Sequence, residues 1–339
     1  MPGEKREWLV LASFFTSARD RWLDDFIRQE DLAFTKLVPP KPVRDWHRGT
    51  QKLTPILTWL THLRHARAAI RARPSGIITC FPQLALTTAV WKGLSRRAIP
   101  LIAYNFNLGE LRTGLPQRLA RSFAARIDRF VVHSPEEVQR YADYLGLSPD
   151  RFLFVPLQRG DISIDRQEDI ATPFIVAMGS AHRDYPTLIR AVDRLGLRTV
   201  IVTREADIAA LPSSAHVSYL SNLSEMQCLE LMARARLCVT PVANLTTASG
   251  QVTFINAMHL GVPVIATRCP GTEGYIQDGH DGILVAPFDV DDMADAISRL
   301  WQDGALRNDL ARNARVTARD RFSDEVAAER LVQIIRSLA

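Results

Sequence analysis

The sequence predicts an α/β protein of two domains, each a parallel β-sheet covered by helices. Three observations lead there. Short runs rich in β-branched and aromatic residues alternate with helical patterns over most of the 339 residues, and strands separated by helices pair in parallel. The alternation stops around 157–172, a stretch poor in large apolar side chains, and then restarts. No Gly-x-Gly-x-x-Gly follows the first strand, which counts against a nicotinamide-binding unit.

In chain order, WLVLAS (8–13) reads as a strand and DRWLDDFIRQ (20–29) as a helix. GIITCF (76–81), PLIAYNF (100–106) and DRFVVHS (128–134) read as strands, with TTAVWKGLSRR (87–97) a helix between the first two. PEEVQRYADYLGL is a well-specified helix, with Ser134 as cap, Pro135 at the first position and two acids in the first turn. RFLFVP (151–156) closes the first half. After the linker come PFIVAMGS (strand), YPTLIRAVDRLG (helix), RTVIVT and HVSYL (strands), SEMQCLELMARAR (helix) and LCVTPV (strand). From 286 onward the pattern is helical almost throughout.

SGQVTFINAMHLGVPVIAT (249–267) is a helix feeding a strand. Val252, Ile255, Met258 and His259 recur at helical spacing, Gly261 ends the turn, and Pro263 precedes the Val264-Ile265-Ala266 strand. Ser249 is the expected N-cap, and Gly250 permits close approach to the backbone. Such a helix mouth favours an anion, commonly a phosphate, although an ordinary capped helix has the same pattern.

The composition is globular, at 47% hydrophobic and 23% charged. No apolar run reaches the roughly 20 residues needed to span a bilayer, and the amino terminus does not read as a cleaved signal, so a cytoplasmic protein is expected. Cys80, Cys228, Cys238 and Cys269 show neither zinc spacing nor a disulfide framework and are expected as reduced core thiols. Charge divides unevenly: residues 1–157 hold 24 Lys and Arg against 14 Asp and Glu, the remainder 18 against 23. A basic half can face nucleic acid, an anionic membrane or an anionic lipid substrate. The aromatic and basic interleaving of a nucleic-acid groove is weak here, so a membrane surface is the expected partner and nucleic acid is not. The segments 53–73, with Leu53, Ile56, Leu57, Leu60 and Leu63 on one side, and 112–130 read as basic amphipathic helices.

GVPVIAT-x3-G-x4-I-x-D-G-x2-G-I-L-V-x-P-x-D in residues 261–289, preceded by NAM, resembles the carboxyl-terminal domain of family 4 retaining GT-B glycosyltransferases. ARIDRFVVHSPEEVQRYADYLGLSPDRFLFVP (125–156) is similar to the close of that family's amino-terminal domain. The resemblance covers roughly 100–320. It implies an α/β GT-B fold of two Rossmann-like domains facing each other across a cleft. These would be an acceptor-binding domain at 1–157, a linker at 158–171, a nucleotide-sugar domain at 172–322, and a final helix at 323–339 returning to the first domain.

It also implies a donor site. The helix opening at Ser249, Gly250 and Gln251 would point its N–H groups at the diphosphate, in agreement with the physical reading above. Gly179 and Ser180 would form the phosphate turn, with Arg183 where the family usually has Lys, a change that keeps phosphate contact but alters its geometry. Thr203, Thr253 and Asn256 complete the expected donor-binding set, and His182 is a further phosphate contact to consider. Gly271 and Thr272 would serve through the backbone more than Glu273 through catalysis. The family carries two glutamates eight positions apart, where this chain has Ala248 and Asn256. Asn256 retains hydrogen bonding toward a ribose; Ala248 retains none, leaving Thr247, Ser249 or Gln251 to meet the sugar. Where the family often has a His facing the sugar, this chain has Asn105 and Asn107, with Glu110 as candidate base and Asn107 and Arg183 as further catalytic candidates. Asp20, Asp24 and Asp25 are weaker candidates, and His133 is expected as a hydrogen-bonded, partly buried side chain.

The expected activity is metal-independent transfer of a sugar from a nucleoside diphosphate, UDP by preference, to a glycan or lipid-linked acceptor on the inner face of a membrane. The expected donor is a substrate, with no cofactor or metal. A UDP-sugar epimerase and an inactive donor-binding subunit are the alternatives.

Overall fold

The structure, a computed structural model, describes residues 5–39, 56–160 and 162–338, with the side chains of residues 56 and 57 outside that set. It divides into two compact units, one of Met1–Val155 with Ala328–Ala339, the other of Pro156–Ala327. Each holds one six-stranded sheet.

The first unit's strands are β1 (Arg6–Leu11), β2 (Leu32–Leu37), β3 (Gly76–Cys80), β4 (Leu101–Tyr104), β5 (Arg129–Val132) and β6 (Phe152–Phe154), with helices α1 (Ile56–Ala72), α2 (Pro82–Ser95), α3 (Leu115–Ala124) and α4 (Pro135–Leu145). The sheet runs β2-β1-β3-β4-β5-β6, and every neighbouring pair is parallel. β3 and β4 are buried at every residue, as central parallel strands covered on both faces must be.

Several expectations need correction here. The helix expected at 20–29 is only a 3-10 turn, Leu23–Phe26. Its acids are drawn elsewhere: Asp25 accepts from the Trp22 backbone at 2.8 Å, and Lys36 bridges Asp24 and Asp25 at 3.2 and 2.7 Å. β2, which carries that lysine, was not anticipated. α2 begins at Pro82 rather than Thr87, because a proline fits the first helical position. Ser134 precedes α4 but makes no side-chain cap; its hydroxyl is buried without a partner. On α1 the buried face is His62, His65, Ala66, Ala69 and Ile70, while Leu60 is exposed. Leu63 is half-buried, so the expected apolar side does not coincide with the buried face; Leu53 and the side chains of Ile56 and Leu57 lie outside the described residues.

The second unit's strands are β7 (Ile175–Met178), β8 (Thr199–Val202), β9 (Val217–Leu220), β10 (Leu237–Thr240), β11 (Val264–Thr267) and β12 (Ile283–Val285). Its helices are α5 (Tyr185–Leu195), α6 (Glu205–Ile208), α7 (Glu225–Arg234), α8 (Gln251–Leu260), α9 (Val290–Gln302) and α10 (Gly304–Phe322). α11 (Asp324–Arg336) follows, its residues from Ala328 counted with the first unit. The sheet order is β12-β11-β10-β7-β8-β9, again all parallel. The chain winds outward from β7 in one direction and from β10 in the other, which puts the topological switch point between those two strands. In the stretch expected as a linker, 158–171, Gln167 and Asp169 donate backbone N–H groups to the Ala233 and Arg234 carbonyls of the second unit.

Candidate functional site

In an open parallel sheet the carboxyl ends of the strands beside the switch point form a crevice for ligands. In the second unit two loops flank it, 179–184 after β7 and 241–250 after β10, and a bridge between Arg183 and Val242 joins them.

Arg183 is the centre of this site. Its Nε donates to the Met178 carbonyl at 3.0 Å, Nη1 to the Ala181 carbonyl at 2.7 Å, and Nη2 to Thr253 Oγ1 at 3.2 Å. Gly179 makes that pose possible. Its φ is +110°, and a Cβ there would lie 2.4 Å from Arg183 Nη2, so the guanidinium folds over a position where only glycine fits. Among the described residues no carboxylate pairs with Arg183, and burial holds it below the usual guanidinium range. A half-buried cation balanced only by neutral oxygens is a site made for an anion.

α8 opens beside it. Its N-cap is Gly250, at φ +95° and without a side-chain cap, so the expected capping role of Ser249 is corrected. The reason is steric: a Cβ on Gly250 would sit 3.0 Å from Thr240 Cγ2, and the left-handed turn needs glycine. Ser249 Oγ is instead buried and without a hydrogen-bond partner. The loop after β11 presses on this entrance, since a Cβ on Gly271 would lie 2.2 Å from the Ser249 carbonyl oxygen. Thr272 braces that loop through both its backbone, which donates to the Cys269 carbonyl at 3.0 Å and accepts from Tyr275 at 3.1 Å, and its side chain, which bonds the Thr267 and Cys269 carbonyls at 3.1 and 3.0 Å. α8 is buried almost all round, with Ile255 and Met258 inside but Val252 49% exposed, so the expected stripe holds only in part.

The other expected donor residues divide. Gln251 and Thr253 lie in the first turn of α8, and Thr253 Oγ1 bonds both Arg183 and the Met178 carbonyl. Ser180 is half-buried in the turn after β7; His182 is exposed there, at φ +55°. Thr203 bonds Asp207 at 3.4 Å and supports Tyr185, so its hydroxyl is engaged behind the site. Asn256 is buried, and its Oδ1 accepts from Arg159 Nε at 2.8 Å while Arg159 also pairs with Glu225. That Arg159 and Glu225 pairing was not visible in the sequence. Ala248 is half-buried beside Thr247, whose hydroxyl accepts from Asn244 at 2.6 Å.

In the first unit the carboxyl ends of β3 and β4 carry two non-glycine residues at positive φ, Phe81 and Asn105. His133 lies between Val155, whose carbonyl is 2.7 Å from Nδ1, and the Asn105 amide, 2.6 Å from Nε2. Burial lowers its pKa to about 4. Both partners are oxygens, the Val155 carbonyl and Asn105 Oδ1, so a neutral ring with its single N–H donates to one of them at a time. Asn107 Oδ1 accepts from the Gly109 N–H at 2.8 Å and lies 3.4 Å from the Tyr141 hydroxyl, which bonds buried Glu137 at 3.1 Å. This network of Glu137 and Tyr141 was missed, although the four-residue spacing from Glu137 to Tyr141 on α4 was a signal. Glu110 is exposed, and no hydrogen bond or ion pair holds it among the described residues. Asp20 is a loop brace, its pKa lowered to about 2 chiefly by the Thr16 backbone N–H. Burial raises the pKa of Asp24 against the pull of Lys36.

The four cysteines are free thiols, three of them buried. Among the described residues no helix is long and apolar enough to cross a membrane.

Residues 172–303 match the family described as "Glycosyl transferases group 1". The alpha-D-kanosaminyltransferase of Streptomyces kanamyceticus is 33% identical over 87 residues, 26% of this chain and 22% of that protein. The lipopolysaccharide core biosynthesis glycosyltransferase LpsE of Rhizobium meliloti is 32% identical over 77 residues, 23% of each. The aligned segments thus span under a quarter of these curated relatives. The structure of Anabaena Alr3699/HepE in complex with UDP superposes with a TM-score of 0.69 at 16% identity, covering 98% of this chain and 100% of that one. Most of the second unit is thus similar to the glycosyl transferases group 1, and by its two-sheet α/β architecture the chain has the fold of GT-B glycosyltransferases.

Proposed function

We propose that the chain transfers a sugar from a nucleoside diphosphate sugar, with UDP as the nucleotide, to a glycan or lipid-linked acceptor in polysaccharide or glycolipid synthesis. The observation that carries this reading is Arg183: a guanidinium at the switch point, oriented by two carbonyls and Thr253, with no carboxylate partner among the described residues, beside the opening of α8. A leaving diphosphate placed there is stabilised by the guanidinium and by the positive end of the helix, which act where charge develops in the transition state. Gly179, Ser180, Ser249, Gly250, Gln251 and Thr253 are the residues proposed to surround it. In this reading the charge is supplied by protein groups, and transfer proceeds unchanged in EDTA.

The acceptor is proposed to be presented at an anionic membrane surface. From Trp46 to Gly109 the sequence contains nine Lys and Arg and no Asp or Glu. On α3, Leu115 is 68% exposed and Leu119 47%, near the exposed Arg112 and Arg118. Each basic residue near such a surface contributes about 1 kcal/mol. One observation favours a second reading, a donor-binding subunit without transfer activity: Asn256, at the place of a family glutamate, is engaged by Arg159.

The test is UDP titration by calorimetry on the full chain and on Arg183→Gln. Loss of a charge-assisted contact is expected to weaken UDP by roughly ten- to a hundredfold. Unchanged affinity in a folded variant refutes the assignment. UDP binding without transfer of any sugar to a membrane extract favours the second reading.

A further inference from the structure

The second half of the sequence is acidic overall, with 23 Asp and Glu against 18 Lys and Arg after residue 157. Yet arginines gather around a cavity of about 420 Å3 at the foot of α8, lined by Arg166, Gly261, Asn308, Ala311, Arg312 and Arg315. Asn308, Arg312 and Arg315 stand on α10 at positions that share one helical face. Arg166 enters from the segment before β7, and Gly261, the C-cap of α8 at φ +68°, forms the wall on which the Arg315 side chain lies.

Most of the local guanidinium capacity is already engaged. Arg307 donates to the Leu300 and Trp301 carbonyls at the end of α9, and Arg312 pairs with Asp309. Arg166 donates to the Gly261 carbonyl at 2.6 Å and to Glu168 at 3.1 Å. Glu168 is shared, since it also holds Arg236 at 2.7 Å. Two donors remain. Arg166 Nε is buried without a hydrogen-bond partner, and Arg315 has no hydrogen bond or carboxylate partner among the described residues. Burial holds Arg166 below the usual guanidinium range, and the like charges of Arg307 and Arg315 act in the same direction against Glu168. Like charges left facing one cavity call for an anion between them.

We propose that this cavity binds a small phosphate monoester of about the size of a hexose phosphate. Forked guanidinium donors match the oxygens of a phosphate, and Asn308 adds a neutral donor and acceptor. The volume exceeds what a bare phosphate fills, and Ala311 and Val316 offer apolar wall to the ester's carbon body. The cavity is separate from the diphosphate site. α8, ten residues long, lies between Gly250 and Gly261, a span of about 15 Å.

The probes are glucose 6-phosphate, free glucose and inorganic phosphate, titrated by calorimetry into the full chain in phosphate-free buffer. Saturable binding of glucose 6-phosphate is expected, tighter than inorganic phosphate, with no binding of free glucose. Arg315→Glu is expected to weaken it by about tenfold or more, with UDP affinity unchanged. Arg315→Gln, which removes one charge while Arg166 and Arg312 still line the cavity, serves as the second variant and is expected to show a smaller loss in the same direction. Equal affinity in both variants, competition with UDP, or no binding by glucose 6-phosphate overturns the proposal. So does inorganic phosphate binding as tightly as the ester, which would show an ion site only. An acidic peptide that binds where neither phosphate does would assign the groove to a protein partner and overturn it as well.

Discussion

Gly271→Ala is a single methyl group placed where two backbone segments touch. The added Cβ would lie 2.2 Å from the Ser249 carbonyl oxygen and 2.7 Å from the Ser249 nitrogen. Ordinary carbon to oxygen contacts begin above 3 Å, so the loop after β11 and the entrance to α8 must separate by about 1 Å, and neither neighbour is a flexible side chain that turns away. Overpacking of this kind costs about 1–3 kcal/mol, and a backbone clash falls at the upper end. The displacement also moves Ser249 and Gly250, the residues that aim α8 at the proposed diphosphate. A misplacement of that size at a preorganised site is expected to weaken UDP at least tenfold. Gly279→Ala is the matched control, because Gly279 has a φ of +74° and open space around its Cα. Its cost is backbone strain alone, about 1 kcal/mol, with no effect on UDP. Urea unfolding followed by fluorescence gives the stability ranking, and calorimetry gives the UDP affinities. If Gly271→Ala unfolds with Gly279→Ala and binds UDP like the parent chain, the contact between the β11 loop and α8 does not shape the site.

Three further outcomes follow from the same structure. Glu110→Gln is expected to leave sugar transfer within about threefold of the parent, since nothing holds that exposed carboxylate and a positioned base contributes a hundredfold or more; a larger drop in kcat at unchanged KM would restore Glu110 as the base. His133 and His65 have folded pKa values of about 4 against an ordinary 6.5, both through burial. The unfolded chain therefore takes up protons first as pH falls, and stability present above pH 6.5 is lost between 6.5 and 4, by up to about 3 kcal/mol for each histidine; urea midpoints that stay flat across that range would contradict it. Binding to vesicles containing anionic lipid is expected to fall steeply with salt, and equal binding to neutral vesicles in a sedimentation assay would remove the electrostatic surface.

The geometry of the segments proposed to hold the phosphates was legible because it depends on neighbours in the chain. Gly179 through Arg183 and Ser249 through Thr253 are local motifs, and the alternation of strands and helices places them at strand ends. The cap was misassigned for an instructive reason: serine is a common N-cap by propensity, but contact with Thr240 and Val242 makes residue 250 a glycine and turns the cap over to it. What could not be read locally is the pairing of distant groups. Lys36 reaches Asp24 and Asp25 across the edge of the first sheet, which both dissolves the expected helix at 20–29 and anchors an unexpected strand. His133 and Asn105 meet only because β4 and β5 are adjacent.

The two departures from the family pattern have a common electrostatic consequence. Ala248 and Asn256, where the resemblance leads one to expect carboxylates, put no negative charge in the loop before α8 or in its second turn, and Arg183 has no carboxylate partner among the described residues. At an assumed separation of about 9 Å and an effective dielectric constant near 20, the absence of a carboxylate spares a unit negative charge about 2 kcal/mol of repulsion. Under the proposed function the site is therefore more strongly poised for a diphosphate than one bearing both acids, and less equipped to orient a sugar hydroxyl. Arg159 adds to this imbalance: its Nε engages Asn256 and its Nη2 pairs with Glu225, so both groups are held by a protein cation. Under the proposed function, donor affinity in this chain rests on the phosphates, and the choice of sugar falls to the neutral hydroxyls and amides of Thr247, Ser249 and Gln251.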